Sequence, residues 1–236
     1  MDLRWLRRTV PRNLKARLRD IVERHRLGLA IRRLETVPPG VVPPGDLLEA
    51  LRAAWGNEGF GANLPFLVEL AHRAVMTPGP ILECGSGVTS IVLGLLAGRR
   101  GVAVHALEHD AEWFAKIAGV LGSFRIPGVR LHLSPLRNWG SLTWYEIPAR
   151  DWPSEFQLVV CDGPPNTTPG GRYGLLPLVG PQLPRGSVIL LDDATYPPEA
   201  QMLERWRAEQ PMHVDVREAP TGEGPTKAYA VLTLDR

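Results

Sequence analysis

Five acidic side chains stand at positions suited to chemistry. Glu83, Glu108, Asp162 and the pair Asp192-Asp193 each close a short apolar run, among them FQLVVC from Phe156 to Cys161 and SVILL from Ser187 to Leu191. Apolar runs of this length between Gly and Pro punctuation read as buried strands. In an open α/β sheet, ligands bind outside the carboxyl ends of the strands, near the point where strand order reverses. Carboxylates gathered at such a place repel one another unless a cation or hydrogen bonds offset the repulsion. The pattern therefore calls for a positively charged partner there.

The stretch ILECGSGVTS, from Ile81 to Ser90, is the element that would organise this edge. A short strand runs into a Gly-x-Gly turn, and the apolar run from Ser90 to Ala97 then reads as a helix that stops at Gly98. Strand, glycine turn and helix open a nucleotide-binding βαβ unit, in which Gly85 and Gly87 would keep side chains out of the ligand's space. VAVHAL, from Val102 to Leu107, reads as the second strand. It delivers Glu108 about where an acid holds ribose hydroxyls. The plainer alternative makes Glu108 a solvated strand end and His109-Asp110 a helix cap.

Glu83 restricts the ligand. A dinucleotide rests its pyrophosphate on the helix N-terminus beside a third glycine, whereas this chain has Ser90 in that place and Glu83 two residues before Gly85. A carboxylate about 6 Å from a phosphate costs about 3 kcal/mol per pair of unit charges at an effective dielectric near 20. A cationic ligand part suits Glu83 better. On ECGSGVTS and Glu108, the sequence resembles the class I S-adenosylmethionine-dependent methyltransferases, whose cofactor carries an ammonium and a sulfonium. The resemblance covers about residues 64 to 236 and implies that Glu83, Gly85, Gly87, Ser90, Glu108 and Asp162 bind the cofactor. It also implies a Rossmann-like seven-stranded α/β sheet with helices on both faces and a C-terminal antiparallel hairpin.

Asp162, Asp192 and Asp193 look like the three-ligand site of the Mg²⁺-dependent O-methyltransferases, including macrocin and novobiocin sugar or aglycone enzymes. A hard divalent ion held there would lower the pKa of an acceptor hydroxyl and aim its oxygen. The resemblance thus makes Asp162 and Asp192 catalytic candidates, with or without Mg²⁺, and a small molecule or sugar the acceptor. The pattern departs at Pro164, where the sugar-modifying enzymes have a second acid thought to be the base. DGPP…RYGLLPL…GSVILLDDA resembles instead a less characterised bacterial methyltransferase group in which Arg172 and Tyr173 recur. Helix capping by Asp192 and a hydrogen bond from a cofactor amine to Asp162 are the alternative roles. DGPP is not the Asp-Pro-Pro-aromatic motif of amino-group methylation, and His105 and His132, inside strands, read as core or edge residues rather than bases.

The elements that must position these acids can be followed along the chain. Its 236 residues, 44% hydrophobic and 22% charged, suit one sizeable α/β domain with an extension. No apolar run approaches the roughly 18 residues of a membrane span, and a secretory signal is not evident, so a cytoplasmic protein is expected. The net charge of +2 hides an asymmetry, since residues 1–34 carry +8 and the remainder −6. Leu3, Leu6, Val10, Leu14, Leu18 and Ile21 recur at helical steps among arginines, so this arm reads as an amphipathic helix. It could pack on its own acidic domain, lie on an anionic membrane surface or touch nucleic acid.

VPPGVVPPG, from Val37 to Gly45, reads as a linker, which divides the chain into an arm at 1–45 and a methyltransferase domain at 46–236. Asp46 reads as the N-cap of the next helix, and Trp55 and Phe60 as lid or packing residues. The polar and aromatic segment from Asn138 to Pro153 is a candidate substrate wall or packed loop. Five buried strands alternating with helices precede a terminal hairpin made by MHVDVR and KAYAVLTL. If the strand order is that of the methyltransferases, Cys84 and Cys161 lie on neighbouring strands about 4.8 Å apart, yet stay reduced. An RNA-associated modification protein using the arm and a catalytically silent cofactor-binding relative are the rival functions.

Overall fold

The structure, a computed structural model, describes residues 12–56, 61–219 and 227–235. Phe60 and the N-terminal residues Leu3, Leu6 and Val10 lie outside the described residues, as does the side chain of Leu14. Three helices precede the sheet: α1 (Arg12–Glu35), α2 (Gly45–Trp55) and α3 (Leu64–Met76). Asn63 caps α3, its Oδ1 accepting from the Phe66 N–H at 2.9 Å. Asp46 does not cap α2 as expected, because the helix already begins at Gly45 and Pro44 fills the cap position. From inside the first turn its charge still opposes the positive end of the helix dipole.

Alternation of sheet and helix then follows, through β1 (Ile81–Cys84), α4 (Val88–Leu96), β2 (Val104–Glu108), α5 (Ala111–Ser123) and β3 (Val129–Leu133). A two-stranded ribbon, β4 (Leu136–Asn138) with β5 (Thr143–Tyr145), interrupts it. The chain continues through β6 (Leu158–Cys161), α6 (Leu175–Val179), β7 (Val188–Leu191), α7 (Pro197–Glu209), β8 (Met212–Ala219) and β9 (Lys227–Leu234). The seven-stranded sheet has the order β3-β2-β1-β6-β7-β9-β8. Its first five strands are parallel, whereas β9 runs antiparallel to both β7 and β8. Strand order reverses between β1 and β6, which opens a crevice at their carboxyl ends.

Side chains alternate between the two faces, as the pleat requires. Ile81, Val104, Val160 and Leu190 pack with α2, α3, α4 and α5, while Leu82, Leu107, Val159 and Ile189 pack with Trp144, Phe156 and Trp206. Cys84 and Cys161 are register partners on β1 and β6, and both are buried free thiols. Not every strand is buried, because β3 is an edge strand with half-exposed residues. The segment 138–153 is no irregular loop throughout, since β5 sends Trp144 and Tyr145 wholly into the core, although Trp139 is exposed. Leu18 and Ile21 of the arm's apolar stripe are exposed, and it is Leu27, Ala30, Ile31 and Leu34 that join the domain's own apolar cluster.

Candidate functional site

A cavity of about 780 Å³ opens at the reversal point between β1 and β6. Of the expected cofactor residues, Gly85, Glu108 and Asp162 line it, and so do Asp192 and Asp193. Gly85 has φ +85°, and a Cβ there would stand 3.3 Å from the Gly163 N. A larger residue would be strained in conformation and would press the turn after β1 into the turn after β6. The latter leaves Asp162 through a cis Gly163–Pro164 bond.

Glu83, Gly87 and Ser90 are not on the cavity wall. They form a buried chain beneath the glycine turn, in which the Ser90 hydroxyl donates to Glu83 Oε2 at 2.6 Å and accepts from the Gly87 N–H at 3.1 Å. Gly87 is extended, with φ 177°, and a Cβ there would meet no protein atom. Glu83 Oε1 is buried without a partner. Burial raises the Glu83 pKa to about 8, against the opposing pull of the Ser90 and Thr89 hydroxyls. A carboxyl in that state is neutral near pH 7 until a cation approaches, which fits the positive end of S-adenosylmethionine.

Glu108 is held by backbone N–H groups and a hydroxyl, and the His109 Nδ1 lies 3.2 Å from its Oε1. Its Oε2 accepts from the Ser86 N–H at 3.2 Å and hydroxyl at 2.8 Å, and its Oε1 accepts from the N–H groups of His109 and Asp110 at 2.8 and 3.0 Å. Asp110 is the cap of α5, accepting from the Trp113 N–H at 2.7 Å, so the cap reading of His109-Asp110 holds at Asp110, whereas Glu108 is buried and not a solvated strand end. The Ser86 hydroxyl already sits on Glu108 as a ribose hydroxyl would, donating to a carboxylate oxygen at the cavity wall.

Asp162, Asp192 and Asp193 converge, each offering an oxygen within 4.8 Å of the others. The positive partner that the acids call for is internal. Arg172 is 5% exposed and donates through Nη1 to the Asp192 carbonyl at 2.6 Å and through Nη2 to Asp162 Oδ1 at 3.1 Å. Asp193 Oδ2 lies 3.5 Å from the same Nη2. Burial would lower the Arg172 pKa, but Asp162 and the neighbouring acids more than offset this and keep it charged. Asp162 is raised to about 6, by burial against the pull of Arg172, and Asp192 to about 8, by burial and the charges of Asp162 and Asp193. Asp192 caps no described helix; its Oδ1 accepts from the Asp193 N–H at 3.0 Å. Asp193 itself has φ +56°, a left-handed conformation uncommon outside glycine.

Tyr145, from the segment offered as a candidate substrate wall, also lines the cavity, as does Lys227, which was not apparent from sequence. The Tyr145 hydroxyl is buried without a partner, and burial raises its pKa. Trp113 ties α5 to the glycine turn, its Nε1 donating to the Ser86 carbonyl at 2.8 Å. His105 and His132 lie off the cavity, their ring nitrogens 3.1 Å apart, and burial lowers His105 to about 4.

A seven-stranded sheet ending in an antiparallel hairpin, with an acid closing β2 and a glycine turn after β1, is a fold that this chain shares with solved S-adenosylmethionine-dependent methyltransferases. Solved structures agree. The O-methyltransferase TomG from Streptomyces achromogenes, involved in tomaymycin synthesis and in complex with S-adenosylmethionine, aligns with TM-score 0.57 and 13% identity over 76% of this chain and 83% of that one. A Bacillus cereus O-methyltransferase in complex with S-adenosylhomocysteine aligns with TM-score 0.56 and 13% identity over 83% and 93%. The C-terminal domain of precorrin-6Y C5,15-methyltransferase from Rhodobacter capsulatus gives 0.51 and 15% over 84% and 98%. No protein-family model matches the sequence. No curated protein matches it either.

Proposed function

We propose that this chain transfers a methyl group from S-adenosylmethionine to an oxygen of a small-molecule or sugar acceptor. One observation carries the reading: the glycine turn with Glu108 and the Asp162–Arg172 pair meet in a single cavity. Its volume, about 780 Å³, falls in the range of small-ligand sites. The O-methyltransferase neighbours support the choice of oxygen.

S-adenosylmethionine supplies a methyl carbon already activated by its sulfonium, so alignment is the main task left to the protein. Glu108 takes ribose hydroxyls once the Ser86 hydroxyl yields its place, and Glu83 ionises beneath a cationic group. Asp162, with its pKa near 6, is ionised at neutral pH and accepts the acceptor's proton, which its Oδ2 can reach while Arg172 holds Oδ1. Asp192, near 8, stays largely protonated at that pH and adds no second negative charge.

The distances among the same three acids favour a second reading, in which Asp162, Asp192 and Asp193 hold Mg²⁺. Such an ion would lower the pKa of the acceptor hydroxyl. Arg172 competes for this place, because it already brings a positive charge to Asp162 and Asp193.

Transfer of labelled methyl groups to a panel of phenols, sugars and amines tests the proposal. O-methylated product is expected, with kcat rising through pH 6 as Asp162 ionises, and Asp162→Asn should lower kcat by about 10²- to 10⁴-fold and remove that limb. Cofactor binding without transfer to any acceptor would make the chain a silent relative, and transfer to amines alone would refute the oxygen assignment. Chelation decides the metal question. It abolishes turnover if Mg²⁺ is held, with Asp192→Asn losing the thermal response to Mg²⁺, and changes nothing if Arg172 alone balances the acids.

A further inference from the structure

Helix α1 carries a second apolar stripe that the domain does not cover. Leu27, Ala30, Ile31 and Leu34 dock it, each no more than 7% exposed. Leu18, Ile21, Val22 and Leu29 are 50%, 63%, 49% and 45% exposed. At the α-helical turn of about 100° per residue, these four centre on a line about 170° around the helix from the docked one. The open stripe is therefore a separate face and not a frayed margin of the core.

Charges are sorted about the same line. Arg19, Arg26 and Arg33 fall within about 100° of the stripe on one side and Arg32 on the other, whereas Asp20 and Glu23 lie about 140° or more away. Glu35 alone among the described acids of α1 comes as near as about 100°, and Asp46 of α2 lies 3.9 Å from the Arg33 Nη2. An apolar line flanked by arginines, with acids on the far side, matches the division of a headgroup layer into acyl chains and phosphates. Nucleic acid would engage the arginines and leave the apolar line unused.

We infer that α1 lies along an anionic lipid surface, with Leu18, Ile21, Val22 and Leu29 among the acyl chains and the arginines at the phosphates. Residues 1–11 bring more of the same types, Arg4, Arg7 and Arg8 with Leu3, Trp5 and Leu6. Among the described residues no helix is long and apolar enough to cross a membrane, so the contact is peripheral. It also leaves the cavity open. Arg24 Nη2 donates to Ser123 Oγ at 2.5 Å at the end of α5, whereas Asp110 and Trp113 line the cavity at its start. The 13 residues between put roughly 20 Å between the two places.

Co-sedimentation of the full chain with vesicles tests this. Binding is expected to phosphatidylglycerol–phosphatidylcholine vesicles and not to phosphatidylcholine alone, weakening as salt rises. The double variant Leu18→Glu, Ile21→Glu should lower partition at least about tenfold, with melting temperature and methyl transfer unchanged because both side chains are exposed. No binding to anionic vesicles, or binding that the double variant leaves intact, overturns the proposal. A dimer in light scattering that the same variant dissolves would assign the stripe to a second copy. RNA binding that survives the variant, with vesicle binding absent, would assign the arginines to nucleic acid.

Discussion

The two sides of the cavity satisfy their carboxylates by different means. On the β1–β2 side, Glu108 is held by three backbone N–H groups and a hydroxyl, with the His109 Nδ1 3.2 Å from its Oε1, and Glu83 by a hydroxyl. On the β6–β7 side, Asp162 and Asp193 share one guanidinium, and Asp192 is raised to about 8. Neutral donors that can be exchanged for ligand hydroxyls suit reversible gripping. A fixed cation tunes protonation, which suits proton transfer. Under the proposed function, the difference would place holding on one side and chemistry on the other.

Removing Arg172 is the strongest way to break the comparison. Arg172→Met should cost about 3–5 kcal/mol of stability at neutral pH, because it strands buried charge. The sign with pH follows from the raised carboxyls. Asp162 and Asp192 bind protons more tightly folded than unfolded, so their contribution is full below their ordinary range and is lost as pH rises through about 6 and about 8. The variant should therefore recover stability on acidification, as read by urea unfolding across pH. Equal loss at every pH would mean that Arg172 acts by packing alone.

Glu108→Ala should weaken S-adenosylmethionine binding by about 1.5–3 kcal/mol in calorimetry, with little change in the pH dependence of kcat. Unchanged affinity would remove the gripping role from that side. The smallest effect is expected from Asp193→Asn. Asn tolerates the left-handed backbone at that position, and the Asp193 side chain is 37% exposed, so no more than about 1 kcal/mol of stability should be lost. Its use is to sharpen the chemical side, since losing a neighbouring negative charge should also shift the Asp192 titration downward, measurable by NMR.

The strand ends and their acids were legible because short apolar runs, glycine and proline punctuation and the terminal hairpin are local signals. Cys84 and Cys161 are register partners, as the strand order implied by the methyltransferase resemblance requires. The roles were harder to read. Glu83 reads in sequence as a cofactor residue, and only three dimensions show that Ser90, seven residues on, folds back over it and that the pair lies below the wall. Arg172 was visible as a recurring residue of a resembling group, yet nothing local in GGRYG says that it reaches Asp162 and Asp193. Tyr145 was hidden in an aromatic segment whose ribbon is too short to show a period. Leu18 and Ile21 of the exposed face of α1 were read as an apolar stripe, but helical spacing does not say which of two faces is covered.

The bond from the Trp113 indole to the Ser86 carbonyl has an optical consequence. Ser86 must adjust if its hydroxyl gives up Glu108, and Trp113 is fastened to the same residue. Trp55 stands edge-on to that indole at 6.0 Å, and the Lys116 ammonium lies 4.1 Å above its ring. If the turn shifts on cofactor binding, an indole between its carbonyl and a fixed charge would feel a change of local field, and the emission of Trp113 is then expected to change without any label.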